Sequence, residues 1–332
     1  MPEPPVSPPV APPVRPAVPT SSPRAVVRPF QRSDRDQVTD LVNAHLAAIL
    51  PGLSVPVSTV MSQLEREPGE YVVDPWVASR LTLVAEQRDR IVAAAHLVRY
   101  ADADHVGPDY RGAAEIRWLL CWPTTGPRYD HEAVGARLVQ ACIRTLESWH
   151  ARRQYANGGL PAPAAYGVPE VWPHVLRLLA DAGFDRGREE RILVARVTQL
   201  AGRRRVSTPW PELEIARSVG AAGTRFSAVD SEGRWGYLEV DTTLTEHNRF
   251  ARGPSVADIG NVWVEPDVRR RGLARWLLAE VTRWLDLAGT ELVLGYVDET
   301  TSKGEIGFLT SAGFDPLVTT WRGWERPVPS SP

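Results

Sequence analysis

Val262 to Leu285 reads VWVEPDVRRRGLARWLLAEVTRWL. A strand-like apolar run stops at Glu265-Pro266, three arginines follow at Arg269, Arg270 and Arg271, then Gly272, and an amphipathic helical pattern begins at once. A helix N-terminus carries unpaired backbone N–H groups and a partial positive charge. A strand running straight into it aims those donors at one point. Glycine lets an anion come close to the backbone, and flanking arginines add charge-assisted hydrogen bonds. These residue types at this spacing fit a cradle for a pyrophosphate. The turn lacks the Gly-Lys-Ser/Thr ending of a phosphate loop and the G-x-G-x-x-G of a dinucleotide fold. Arg203, Arg204 and Arg205 form a contrasting run. No strand, glycine and helix surround them, so they read as solvated linker charge.

The elements that must hold such a turn follow from periodicity. In the first half, Ala25–Phe30 is a short strand, and Ser33 with Asp36 resembles a capping box. Val38, Leu41, Val42, His45 and Ile49 follow at helical spacing, and Pro51-Gly52 ends that helix. Arg80–Tyr100 is a hairpin around a polar turn, AEIRWLLCWP is a strand, and a long amphipathic helix starts at His131. A second helix closes at Gly183, and REERILVARV is a strand. In the second half come three strand-like runs, the longer strand SVADIGNVWVEP, a helix over Leu273–Ala288, the strand TELVLGYVD, a helix over Glu305–Ala312 and the strand region PLVTTWRGW. LLADAGFD and FLTSAGFD echo each other about 130 residues apart, which points to a duplicated α/β (α+β) unit.

Composition bounds the rest. The 332 residues suit two domains, 43% apolar with 23% charged is ordinary for a globular chain, and a net charge of -2 demands neither nucleic acid nor an anionic membrane. No apolar run is long enough to span a bilayer. Cys121 and Cys142 fit no metal or redox spacing, the histidines are isolated, and a cytoplasmic protein with reduced thiols and no metal is expected. The proline-rich first 24 residues read as a disordered tail without a signal-peptide core.

VWVEPDVRRRGLARWLL resembles the acetyl-CoA motif of the GNAT acetyltransferase superfamily. Arg269, Gly272 and Ala274 fill its three fixed positions, and the following strand and GFLTSAGF helix keep its order over about Glu212–Arg326. The resemblance implies two tandem GNAT-like domains, each a mixed central sheet flanked by helices: 25–198, degenerate, and 211–326, catalytic, joined by a linker at 199–210. It implies that acetyl-CoA is the acyl donor and that the backbone of Val262 and Val264 receives the pantetheine arm. Arg269, Arg270, Arg271 and the N–H groups of Gly272, Leu273, Ala274 and Arg275 would then hold the phosphates. Ser302 stands at the family's common asparagine, although Ser302 to Glu305 also reads as a capping box. At the matching turn of the first half, Asp130 stands in place of the expected Arg or Gln and Ala133 in place of the first glycine, and the carboxylates of Asp130 and Glu132 would repel a pyrophosphate.

Acetyl transfer to an amine needs a base, because an amine of pKa about 10.4 is cationic near neutral pH. Asp258 stands where histone-type members carry a catalytic glutamate, so it is the base expected here, acting through a water because Asp is one methylene shorter than Glu. Glu265 and Glu239 are weaker candidates. Leu309 falls where the family's usual general-acid tyrosine would stand, which leaves Tyr296 as the candidate proton donor, although its alternating strand position also reads as packing. The second half lacks a convincing helical hairpin before its strands, so the first half is expected to wall part of the acceptor site. The expected activity is N-acetylation of a small molecule or peptide. The alternative is a non-catalytic acyl-CoA-binding protein of the same fold.

Overall fold

The computed structural model describes residues 25–65, 75–122, 131–202, 206–242 and 253–328. The proline-rich tail, Asp130 and Arg203 to Arg205 lie outside them. The first half runs β1 (Val26–Pro29), α1 (Arg35–Ile49), α2 (Val57–Leu64), β2 (Val77–Gln87), β3 (Arg90–Tyr100), β4 (Ala114–Cys121), α3 (His131–Ser148), β5 (Gln154–Ala156), β6 (Val168–Pro169), α4 (Pro173–Asp181) and β7 (Arg188–Arg196). The second runs α5 (Val197–Ala201), β8 (Glu214–Gly220), β9 (Gly223–Asp230), β10 (Gly233–Asp241), β11 (Val256–Val264), α6 (Leu273–Leu287), β12 (Leu292–Asp298), α7 (Lys303–Ala312), β13 (Asp315–Arg322) and β14 (Trp324–Arg326).

Two local expectations change. The stretch expected as linker begins in a helix: α5 packs against α6, burying Val197. The cap before α1 sits two residues earlier than Ser33 and Asp36. Asp34 accepts the Gln31 N–H at 2.8 Å while Arg28 grips the same carboxylate at 2.7 and 2.9 Å. The two charge-assisted bonds from Arg28 hold the Asp34 carboxylate where it accepts the Gln31 N–H. The Ala-Gly-Phe echo has a structural cause. Gly183 (φ 82°) and Gly313 (φ 103°) follow their helices in the left-handed conformation, and Phe184 and Phe314 drop at once into the core.

The strands form two sheets, with order β1-β2-β3-β4-β5-β14 and β6-β13-β7-β12-β11-β10-β9-β8. The halves lend strands to each other. β7, from the first half, runs antiparallel between β12 and β13, and β14, from the second, pairs with β5. One face of the second sheet, with Leu238, Val240, Ala257 and Ile259, packs on Leu277, Val281 and Leu285 of α6. The other face, with Ile192, Val256, Leu292, Leu294 and Val318, joins the core of the first half.

Candidate functional site

β11 and β12 are parallel neighbours only from Val256↔Leu292 to Asp258↔Leu294. Beyond Asp258 they part, and among the described residues the side of β11 facing β12 has no strand partner while its other side stays paired to β10 as far as Val264. Just past this fork Gly260 is an extra residue in the ladder, because Glu239 opposes Asn261 and Val240 opposes Ile259. A Cβ at Gly260 would lie 2.3 Å from the Ala222 Cβ, so the bulge needs glycine. Ile259 before the bulge and Val262 and Val264 after it face α6, while Asp258 before it and Asn261 and Trp263 after it lie on the opposite face.

On the α6 side a groove of about 950 Å³ runs from Val262, Trp263 and Val264 past Arg269, Arg270 and Gly272 to α7. Arg270 (φ 63°) and Gly272 (φ 90°) take left-handed turns that swing the chain into the helix. The first helical bond is Trp276 N–H to Gly272 O, so the N–H groups of Leu273, Ala274 and Arg275 have no acceptor inside the helix. Arg269 Nε–H donates to Val264 O at 3.0 Å, which ties the arginine to the strand end. Arg275 lines the groove and donates to Ser311 Oγ at 3.1 Å. Of the residues expected from sequence, Val262, Val264, Arg269, Arg270, Gly272, Leu273, Ala274, Arg275 and Ser302 line this groove, and Arg271 is exposed away from its lining. Ser302 also closes the capping box, accepting the Glu305 N–H at 3.2 Å while Glu305 accepts the Ser302 N–H at 2.9 Å.

Sequence reasoning missed Gly304, Gly307 and Phe308 on the α7 wall. The signal was present: two glycines three apart near the start of a helix, each costing about 1 kcal/mol relative to alanine, place bare backbone on one face.

Asp258 lies at the fork with 8% of its surface exposed. Its Oδ2 accepts the Tyr296 hydroxyl at 2.8 Å and the Tyr166 hydroxyl at 3.4 Å. Its Oδ1 is buried and has no hydrogen-bond partner among the described residues. Burial, with help from the nearby Asp241 carboxylate, raises its pKa to about 7, against the pull of the two tyrosine hydroxyls. Burial and the Asp258 charge push both tyrosines far above the ordinary phenol value, so both remain neutral donors. Sequence gave no signal for Tyr166, which sits in a loop of the first half, 92 residues from Asp258.

The other carboxylate candidates differ. Glu239 is fully buried, but hydrogen bonds from Asn261 (2.7 Å), Arg225 (2.6 Å) and the Ala222 N–H (3.0 Å) outweigh that burial and hold its pKa below the usual range. Glu265 flanks the turn, its N–H bonded to Trp235 O. Leu309 is core.

The first half repeats the fork and bridges its start. β4 and β5 are parallel from Ala114↔Gln154 to Ile116↔Ala156. The chain after β5 then continues the ladder through Asn157 N–H to Ile116 O (2.9 Å) and Gly159 N–H to Arg117 O (3.1 Å). Gln63 of α2 pins this bridge, donating to Gly159 O at 3.0 Å and accepting the Trp118 indole at 2.8 Å. Glu132 pairs with Arg177 at 3.3 Å.

Residues 197–314 match the Acetyltransferase (GNAT) family, and this part of the chain is a GNAT domain. Solved structures extend the fold across both halves. The glucosamine N-acetyltransferase region of a fungal multi-domain GH3 β-N-acetylglucosaminidase superposes with a TM-score of 0.61 at 14% identity, over 92% of this chain and 38% of that one, so this chain spans well under half of that protein. A tandem GNAT protein from the clavulanic acid biosynthesis pathway gives 0.59 at 15% identity, over 93% of this chain and 100% of the other. A GCN5-related N-acetyltransferase from Sphaerobacter thermophilus gives 0.54 at 14%, over 92% and 97%. At these identities the likeness is one of fold: a tandem GNAT architecture. No curated protein matches the chain by sequence.

Proposed function

We propose that this chain is an acyl-CoA-dependent N-acetyltransferase that acts on an amine of a small molecule or peptide. The observation that carries the reading is the fork itself: it opens on one side to a helix N-terminus edged with arginine, and on the other to a buried carboxylate with one oxygen unbonded among the described residues. The groove residues bind the donor. The backbone of Val262 and Val264 takes the pantetheine arm, as an added strand would. The first turn of α6, with Arg269 and Arg270, takes the phosphates. The acceptor comes to the opposite face, where Asp258 Oδ1, through a bridging water, takes the proton that the amine sheds as its nitrogen bonds to the acyl carbon and the C–S bond breaks. Tyr296 steadies Asp258 by its hydrogen bond, and the CoA thiolate leaves without an enzymic acid.

Residues 211–326 form the donor-binding unit and 25–198 the acceptor-shaping unit, with β7 and β14 lent across. Among the described residues no helix is long and apolar enough to cross a membrane. The buried thiols of Cys121 and Cys142, both pushed up to about 12 by burial, support a reducing, cytoplasmic setting.

The second reading, a non-catalytic acyl-CoA-binding protein, draws on the apolar Leu309 and on the raised pKa of Tyr296. Thiol release from acetyl-CoA with a panel of amines separates the two. Transfer predicts acceptor-dependent release and an acetylated product. Tight CoA binding with no release for any amine supports the second reading instead.

A further inference from the structure

Asp258 is gripped from both halves of the chain. We propose that Tyr166, supplied by the first half, is a positioning residue that aims the Asp258 carboxylate at the acceptor, so that the working site exists only where the two halves meet. The proposal rests on the reading of Asp258 as the base.

The geometry is asymmetric. Both tyrosine hydroxyls donate to Oδ2, Tyr296 from the same sheet and Tyr166 from across the boundary, and Oδ1 receives nothing among the described residues. A single donor fixes one oxygen and leaves the carboxylate plane able to turn. A second donor on the same oxygen, arriving from another direction, fixes the plane and leaves Oδ1 as the oxygen with lone pairs to offer. The two rings meet edge to face with centroids 5.7 Å apart, which sets the directions of both hydroxyls.

The backbone of Tyr166 is held more firmly than an ordinary loop. Its carbonyl accepts the buried Thr320 hydroxyl at 3.0 Å, and β6, two residues on, pairs with β13 at Pro169↔Thr320 and Val168↔Trp321. Between them Gly167 (φ 91°) lies so close to β13 that a Cβ would sit 2.7 Å from Trp321 O and from Thr320 Oγ1. Ala165 and Val168 are fully buried. The first half thus delivers one hydroxyl to the fork on a segment stitched to the second sheet.

The groups facing Asp258 are Tyr296, Tyr166 and the Asp241 carboxylate. The tyrosines favour its ionised form and Asp241 disfavours it. Removing the Tyr166 hydroxyl takes away support for the charged form and raises the pKa of the base.

The test is Tyr166→Phe in the full chain, which keeps the ring. The acid limb of the kcat–pH profile moves to higher pH by about half to one unit, the size of one hydrogen bond to a carboxylate, and kcat at neutral pH falls several-fold. Acetyl-CoA affinity by calorimetry stays unchanged. Thr320→Val, which loosens the backbone of Tyr166 without touching the carboxylate, moves the limb the same way. The double variant Tyr166→Phe/Asp258→Asn is no slower than Asp258→Asn alone, because Tyr166 acts through Asp258. Infrared titration of the Asp258 carboxyl, taken as the difference from Asp258→Asn, reads the same shift without turnover. If Asp258→Asn is slow and Tyr166→Phe moves neither the limb nor the titration, the positioning role is overturned and the base survives. If Asp258→Asn retains turnover, the base itself is wrong, and the positioning role falls with it.

Discussion

Gly272 carries two demands at once. Its φ of 90° favours a residue without a Cβ, yet a Cβ built there meets nothing within 4 Å, so a side chain would extend into open groove. Asn and Asp tolerate the left-handed region better than other residues, so the pair Gly272→Asn and Gly272→Asp separates shape from charge. A carboxylate about 4–8 Å from a pyrophosphate costs roughly 2–4 kcal/mol at an effective dielectric near 20, or about 30- to 1000-fold in affinity. Calorimetry with CoA is expected to show that loss for Gly272→Asp and only a small change for Gly272→Asn. Equal affinities would remove the phosphates from this turn. Asp258 carries a conflict of another kind. A pKa raised from 3.8 to about 7 means that the folded state keeps a proton the unfolded chain has released. Stability therefore falls as pH rises from about 4 to about 7, by on the order of 4 kcal/mol, and stays lost above that. Asp258→Asn is expected to melt at nearly the wild-type temperature at pH 4 and roughly 5 °C higher at pH 8, while turnover drops about 10²- to 10⁴-fold and CoA affinity holds. A melting difference that does not grow with pH would show that Asp258 is not the strained group.

At the scale of elements, α7 is weakened where it faces the groove. Gly304 and Gly307 sit in the helix with no close neighbour to exclude a methyl group other than Ser302 Oγ, 3.7 Å from a Cβ at Gly304. Alanine at both positions would stabilise the helix by roughly 1–2 kcal/mol in total. The groove would be narrowed by the same two methyls. Gly304→Ala/Gly307→Ala is expected to melt a few degrees higher and to bind acetyl-CoA at least about 10-fold more weakly. A higher melting point with unchanged affinity would place the donor elsewhere. The elements legible from sequence are those whose cause is contiguous. The strand, turn and helix from Val262 to Arg275 announce themselves because the backbone that makes the cradle is one run of chain. Gly183-Phe184 and Gly313-Phe314 do so because a left-handed cap followed by a buried ring is local. What sequence left unread is non-local. Nothing near Arg28 shows that it will draw the cap of α1 onto Asp34, and nothing in the loop around Tyr166 shows which carboxylate it will reach. The partner strands of β7 lie about 100 residues away or more, so its placement in the second sheet depends on tertiary packing rather than on its own pattern.

Across the whole molecule the two forks have opposite fates, and the exchanged strands tie those fates together. The first fork is laced at its start by Asn157 and Gly159 and pinned by Gln63, so the Ile116 and Arg117 carbonyls of that edge are already taken. One CoA per chain is therefore expected in a calorimetric titration, and two equivalent sites would show that the lacing opens. The second fork depends on the first half for its frame. β7 supplies the strand on which β12 and β13 both pair, and the larger core joins Leu292, Leu294 and Val318 to Leu138, Leu146 and Trp172. Were the halves independent, heat or denaturant would melt them in separate steps, as loosely joined domains do. Here unfolding either half strips a strand from the sheet of the other and opens a shared core. Far-ultraviolet circular dichroism and tryptophan fluorescence are accordingly expected to report one coincident transition. A fragment of residues 206–328, without β7, should fail to fold and to bind CoA, and should regain both when co-expressed with residues 25–202. Two resolved transitions, or a folded 206–328 fragment that binds CoA alone, would make the exchanged strands an ornament of the fold. A single transition with an inert fragment would make the joined halves the smallest unit able to hold Asp258 between Tyr296 and Tyr166.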